Sequence, residues 1–441
     1  MQGKSDVDAA NEAADASLAG QVDAVWELTD SPVSDKHNND PEEPRERGYN
    51  GIELAKLSIA PGVKLEDWKA SSPDNKKNSC CSSSSASEGL FSLGARCVTL
   101  HGAQGAHVFR DNVERKPGSH FTDDIYGDTL PRHPTVLTGL LDHWPAYNNG
   151  AGLPGKSWSL EDLATRTAGI RVSLDGGPSF ARLSMCAGRA SLSEYQRYAE
   201  NSSDGDAAPL YVFDPNILGP TATFSDDGSP VADAFDTPPC FSHDAAAAVC
   251  DERLRPLPPK WLLVGAPRSG TPIHDHPTTV AWNALLVGCK LWCCFPPDVD
   301  QSALLLNLGG LSGEGGEGGY VQEEGEEKEE EDFDLSALEW FCRAGSGSDS
   351  GGSEKEEKEE GGGGRRRQLD ESAAIIVQRP GEVVFLPVGW FHVVLNVETS
   401  TALSMSLTLR RDLPSVLPLF LQAEREFALW GTPDDDTVER T

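Results

Sequence analysis

Apolar residues along this chain fall into short runs rather than helical stripes. From about Phe91 onward the runs read "ARCVTLHG", "PTVLTGL", "GIRVSL", "PLYVFD", "KWLLVG", "TVAWNALLVG", "KLWCCFPP", "AAIIVQRPGEVVFLPVG", "HVVLNVE" and "TALSMSLTL". Each is rich in β-branched and aromatic residues and bounded by turn formers, the composition of strands. Helical spacing is confined to "SLEDLATR" behind a serine cap, "SLSEYQRYAEN", "DLSALEWFCR" and the closing "LPSVLPLFLQAEREFALWG". Many strands with little regular strand–helix alternation predict a mainly β fold, an antiparallel sandwich or barrel rather than a doubly wound sheet.

Two regions break this pattern. Residues 1–90 hold one helical spacing, Ala10 to Leu28, then clusters of Pro, Asp, Asn and Lys and the run "NSCCSSSSASEG", which predicts a mostly disordered N-terminal region. Residues 309–367 read "GGLSGEGGEGGYVQEEGEEKEEEDFDLSALEWFCRAGSGSDSGGSEKEEKEEGGGGRRR", two Gly/Glu-rich tracts around one short amphipathic helix. The tracts cannot bury enough apolar area to offset ordering entropy, so flexible loops flanking a docked helix are expected. The organisation that follows is a folded domain over 91–412 interrupted at 309–367, then a C-terminal helix and tail at 413–441.

Composition narrows the function classes. A chain of 441 residues, 38% hydrophobic and with ten Trp, can supply a sizeable core. The net charge of −33 belongs largely to the acidic runs; it argues against direct nucleic-acid binding and leaves room for a basic protein partner. No basic leader with an apolar core opens the chain and no apolar run reaches about 18 residues, so a protein that is soluble, unsecreted and free of membrane spans is expected. Ten Cys without a CxxC pair read as reduced thiols rather than a zinc framework.

Two stretches carry chemistry, "WLLVGAPRSGTPIHDHPTTVAWNALLVGCKLWCCFPP" and "RPGEVVFLPVGWFHVVLNVETSTALSMSL". His274 stands at the start of a strand-like run after a Gly-rich turn, and His392 opens "HVVLNV" after "PVGW". A lone strand histidine is ordinarily a packed or surface residue. Two of them behind Gly/Pro turns, one beside a carboxylate, suit the paired imidazoles of a facial metal triad, whose ligands the fold must gather from distant strands.

The phrases "GAPRSGTPIH", "AWNALLVGCKLWCCFP", "RPGEVVFLPVGWFHVVLN", "PLYVFD" and "DHWPAYN" resemble the JmjC family of Fe(II)- and 2-oxoglutarate-dependent oxygenases, and within it the branch of arginine-demethylase and lysyl-hydroxylase (phosphatidylserine-receptor-like) proteins. The resemblance covers roughly residues 91–412 apart from the insertion. It implies a double-stranded β-helix, a jelly-roll, cupin-like barrel with flanking helices whose mouth holds the metal. It also implies His274 and His392 as imidazole ligands, and Lys290 as the ammonium that pairs with the distal carboxylate of 2-oxoglutarate. Thr271, Asn283 and Ser404 fall at hydrogen-bonding positions around that cosubstrate, Ser404 replacing the threonine usual in this branch. Without the resemblance Lys290 would read as a surface lysine on a turn and Asn283 as a strand-end cap.

The expected activity is that of a dioxygenase using Fe(II), 2-oxoglutarate and O2 to hydroxylate or demethylate lysine or methyl-arginine in a protein substrate, such as a histone or RNA-binding protein tail. A nuclear location is the corresponding expectation, helped by Arg365 to Arg367, with the cytoplasm as the alternative.

One departure bears on that activity. The family pattern is His-x-Asp, whereas this chain reads "HDH", with Asp275 one place early and His276 in the aspartate's place. On an unbroken strand His274 and His276 share a face and Asp275 points away. A bulge or a strand end at His274 would instead turn Asp275 inward. An aspartate would leave an iron site near one positive charge, whereas three neutral imidazoles leave two and suit zinc as well. Both residues are candidate second ligands, and the alternative reading of the whole chain is a catalytically impaired JmjC-fold binding or scaffold protein.

Overall fold

The computed structural model describes residues 52, 90–102, 105–148, 157–175, 188–201, 206, 209–248, 260–299, 304, 335–345 and 372–430. The helical pattern expected at Ala10 to Leu28, the Gly/Glu-rich tracts of the insertion and the tail after 430 lie outside them.

The described chain opens with a small antiparallel sheet, β1 (Phe91–Leu93), β2 (Cys97–Gly102) and β3 (Gly105–Arg110). Next come β4 (Arg115–Pro117), β5 (Thr135–Thr138), helices α1 (Pro145–Asn148) and α2 (Leu160–Arg166), β6 (Arg171–Asp175), β7 (Gly188–Ser191), α3 (Leu192–Asn201) and β8 (Tyr211–Asp214). Ser159 caps α2 as the sequence predicts, its side chain accepting from the Asp162 N–H. Eight strands then build the centre: β9 (Lys260–Gly265), β10 (Gly270–His274), β11 (Val280–Val287), β12 (Lys290–Phe295), β13 (Ala374–Gln378), β14 (Glu382–Leu386), β15 (Phe391–Asn396) and β16 (Ser400–Leu407). Helix α4 (Ala337–Gly345) lies between β12 and β13 in sequence, and α5 (Leu413–Trp430) follows β16.

The centre is a double-stranded β-helix. One sheet runs β10-β15-β12-β13, and β14-β11-β16-β9 forms the middle of a nine-stranded sheet, flanked by β4-β5 on one side and β8-β6-β7 on the other. The chain changes sheet at every connection from β9 to β16 except between β12 and β13. Both faces of each central strand are covered, which is why "VAWNALLV" and "KLWCCF" read as unbroken apolar runs. In β11 Val280, Trp282, Ala284 and Leu286 join the large core outside the nine-stranded sheet, while Ala281 and Asn283 line the space between the sheets. In β12 Leu291, Cys293 and Phe295 pack outward under α4, while Lys290 and Trp292 point between the sheets.

Helix α4 is the docked element of the insertion. Its Trp340 and Phe341 are fully buried, Trp340 donating from Nε1 to the Leu304 carbonyl at 2.8 Å and meeting the Phe295 ring at 5.9 Å. At the far edge of the small sheet Asp111 receives the Val377 N–H at 3.0 Å and pairs with Arg115 at 2.6 Å, while Arg115 also reaches Glu382. Cys97, Cys240, Cys289, Cys293 and Cys294 are free thiols, but Cys342 is disulfide-bonded, against the all-thiol expectation. No helix among the described residues is long and apolar enough to cross a membrane.

Two substitutions test this packing. A Cβ on Gly265 would stand 2.0 Å from Asn396 Nδ2 and 2.6 Å from Ser269 Oγ, so Gly265→Ala should lower stability by about 1–3 kcal/mol. Trp340→Ala empties a sealed site and should cost about 3–5 kcal/mol if the inserted helix is part of the core. Urea unfolding midpoints read both; a Trp340→Ala midpoint equal to wild type would mean that α4 contributes nothing to the fold.

Candidate metal centre

His274 ends β10 directly opposite His392 of β15 in the strand register. It therefore closes a strand instead of opening one, contrary to the sequence expectation. "GTPIH" carries a glycine and a proline, so propensity hides a strand that pairing with β15 creates. The register shifts between Thr271 and His274. Thr271 and His274 both face the space between the sheets although three positions separate them, while Ile273 packs outward under α4. The bulge considered in the sequence therefore exists, but it precedes His274. Beyond it β10 ends, and in the segment that follows His276 joins His274; its carbonyl accepts from the Gly389 N–H at 2.9 Å, tying the segment to the turn before β15.

The three imidazoles form one cluster. Ring centroids are 4.1 Å apart for His274 and His392, 5.3 Å for His274 and His276, and 5.2 Å for His276 and His392. One nitrogen from each lies within 4.8 Å of the other two. Nδ1 of His274 donates to the Pro272 carbonyl at 2.8 Å, and Nδ1 of His392 donates to the Trp390 carbonyl at 3.0 Å. A carbonyl only accepts, so both Nδ1 atoms carry the proton and the lone pairs reside on Nε2, the arrangement that orients a ligating histidine. Burial pushes His274 down to about 4. Burial and the neighbouring imidazole take His276 to about 3, and the same causes hold His392 well below its ordinary range. All three are neutral near pH 7, the state in which imidazole binds metal. Asp275 lines the same cavity, half-buried, but its carboxylate is outside the cluster.

Lys290 occupies the same face of the four-stranded sheet. It sits opposite Asn396 in the β12–β15 register, and His392, Val394 and Asn396 all face inward, so the backbones of the two sites are about 13 Å apart along β15. Its side chain is buried and donates to Tyr211 Oη at 2.9 Å and to Asn396 Oδ1 at 2.6 Å. Asn396 is held in turn by Nδ2 donating to Ser269 Oγ at 2.9 Å, whose hydroxyl donates to the Ala266 carbonyl at 2.6 Å. An ammonium has three donors, and two are used. No carboxylate among the described residues pairs with Lys290, and burial lowers its pKa to about 7.

The other positions singled out in the sequence converge on the same space. Asn283 is buried with Oδ1 unpartnered; Ser404, its register partner, donates to the Trp282 carbonyl at 3.0 Å; and Thr271 is buried at the cavity wall. The cavity between the sheets measures about 420 Å³ and touches all three histidines, Lys290, Asn283, Thr271 and Ser404. Three neutral nitrogen donors suit a divalent first-row ion, and a dry cation with a spare N–H suits a small dicarboxylate. The residues thus fit both groups the sequence anticipates, with three imidazoles where two and a carboxylate are usual.

Tyr211 and Asn396 were not singled out in the sequence, although both stand within quoted runs. Counting by twos from His392 reaches Asn396 on the same face, a signal that was available. Tyr211 had none, because β8 joins the site only through the extended nine-stranded sheet.

Residues 128–407 match the family model described as a cupin-like domain. Among curated proteins, the arginine-specific demethylase JMJ22 of Arabidopsis thaliana is 28% identical over 331 residues, covering 75% of this chain and 52% of that protein. The bifunctional arginine demethylase and lysyl-hydroxylase psr-1 of Caenorhabditis elegans is 27% identical over 317 residues, 70% of this chain and 64% of that protein. The lysine-specific demethylase JMJ21 of Arabidopsis thaliana is 26% identical over 320 residues, 72% of this chain and 27% of that protein. The chain thus spans between about half and two thirds of the length of the first two relatives. With the eight strands of the double-stranded β-helix present and the family model covering most of its length, this chain belongs to the cupin-like domain family, as one of its JmjC members.

Proposed function

We propose that this protein is an Fe(II)- and 2-oxoglutarate-dependent oxygenase that hydroxylates or demethylates lysine or methyl-arginine side chains of a protein substrate. The observation that carries the reading is the buried Lys290 ammonium, without a counter-charge, in the same cavity as three imidazoles whose lone pairs are set for a metal. The names of the relatives supply the substrate class.

In this reading His274, His276 and His392 hold the metal, and Asp275 does not. The Pro272 and Trp390 carbonyls keep two of the rings in the ligating tautomer. Lys290 receives the distal carboxylate of the keto acid with its third N–H, while Tyr211 and Asn396 hold the ammonium in place. Asn283, Thr271 and Ser404 line the cosubstrate's space. When bound, Fe(II), 2-oxoglutarate and O2 supply oxidation of a C–H bond with release of succinate and CO2. Trp261, Leu263 and Phe213 wall the cavity and keep water from the reacting carbon.

The scaffold alternative gives no account of Lys290. A buried lysine without an anion costs stability, and a fold that binds no anion has no use for it.

Two measurements test the proposal. Purified protein with Fe(II), ascorbate and 2-oxoglutarate should release succinate, and His392→Ala should fall by on the order of 100-fold or more, as removal of a metal ligand requires. Equal succinate release from both proteins would sink the reading. The second measurement follows the lysine's charge. A folded-state pKa near 7 against an ordinary value of 10.5 means the unfolded chain binds the extra proton between those limits, so stability of the ligand-free protein should rise with pH from about 7 to 10. Lys290→Met should flatten that rise in urea unfolding and abolish stabilisation by added 2-oxoglutarate. A variant still stabilised by the keto acid would remove Lys290 from the site.

A further inference from the structure

We propose that Asp275 is the specificity-determining contact for substrate, a carboxylate that seats a cationic side chain, guanidinium or ammonium, beside the histidine cluster. The inference rests on the oxygenase reading above and names what that site selects. Asp275 stands between His274 and His276, with its Cα about 3.8 Å from each of theirs. It lines the cavity and is half-buried, yet its carboxylate is not one of the gathered ligand atoms.

The cavity carries two acidic side chains, and they differ in what they already hold. Asp244 accepts the Ala246 and Thr408 N–H groups, each at 3.0 Å, and is spent on fixing backbone. Asp275 has no cationic partner among the described residues. The three imidazoles are neutral, so a divalent ion among them keeps both charges, and Lys290 adds a third that the keto acid alone must offset. A lysine or arginine side chain in that field is repelled unless an anion lies beside it. Asp275 is the carboxylate available for it. The aromatic walls, with Phe213 and Trp261 in contact at 4.5 Å, favour the same class of ligand, because ring faces attract cations and their methyl groups.

The test is equilibrium binding without turnover, using anaerobic full-length protein loaded with Fe(II) and 2-oxoglutarate. Three labelled peptides, identical except for a central monomethyl-arginine, lysine or citrulline, are titrated by fluorescence anisotropy, and bound iron is measured in parallel. Wild type should prefer at least one cationic peptide over the citrulline peptide by about tenfold, the value expected for one charge-assisted hydrogen bond, and the preferred peptide identifies which cation the site takes. Asp275→Asn should erase the preference while leaving iron content and citrulline-peptide affinity unchanged, and Asp275→Glu should restore part of it. Loss of iron in Asp275→Asn would make the residue a ligand, and an equal loss for all three peptides would make it merely structural; either result overturns the inference. Wild type that holds iron and keto acid but does not discriminate overturns this inference alone. Wild type that holds neither takes the oxygenase reading down with it.

Discussion

The register shift between Thr271 and His274, where β10 pairs with β15, decides which side chains reach the cavity. A strand alternates its side chains, so without the extra residue Thr271 and His274 would face opposite ways. With it, Thr271 and His274 both reach the cavity and His274 meets His392, while Ile273 packs outward beneath α4. β10 ends at His274, and in the segment that follows His276 joins the cluster while Asp275 lines the cavity outside it. The cluster beyond the shift offers three imidazoles and no carboxylate, so any divalent ion held there would keep one more unit of positive charge than with an aspartate ligand.

That extra charge falls on a cavity already short of anions. Lys290 is dry, its partners Tyr211 and Asn396 are neutral, and the chain from Asn396 through Ser269 to the Ala266 carbonyl leaves the asparagine no freedom to turn. Arg96, Arg115 and Arg410, on the periphery, all have carboxylate partners. A ligand carboxylate in the cavity would complete the Lys290 ammonium, and the coupling would work both ways: the anion would restore the lysine's charge as the lysine held the anion.

Much of this was legible in the chain. The runs from "KWLLVG" to "TALSMSLTL" correspond to strands because β-branched and aromatic residues between turn formers have few other uses, and full burial of both faces kept the runs long. Lys290, Asn283, Thr271 and Ser404 could be named only through resemblance, since nothing in their local sequence separates a dry lysine from a turn lysine. β10 was missed as a strand ending at His274 because Gly270 and Pro272 carry the wrong propensity and its pairing partner lies more than a hundred residues away. The choice between Asp275 and His276 stayed open for a related reason. Parity favoured His276 and the displaced carboxylate suggested a bulge; the bulge lies ahead of His274, with His276 in the imidazole cluster and Asp275 on the cavity wall beside it, an arrangement that depends on pairing with β15.

The acidic insertion sits where the double-stranded β-helix can best accept it. The connection from β12 to β13 is the one in the eight-strand series that stays within a sheet, so lengthening it adds loop-closure entropy that grows only with the logarithm of length and disturbs no crossing. What the insertion returns to the fold is α4. Its first turn abuts the backbone where β10 begins: a Cβ on Gly270 would stand 2.0 Å from the Val394 carbonyl and 3.0 Å from the Ala337 side chain. Leu338 and Phe341 share one buried cluster with Ile273, Val393 and Leu395. These last three are the outward neighbours of His274, His392 and Asn396 on β10 and β15. The inserted helix therefore presses on the back of the two strands whose inner faces carry the histidine cluster and the partner of Lys290. Interiors this close-packed transmit displacement, so the seating of α4 and the spacing of His274 and His392 are mechanically one variable.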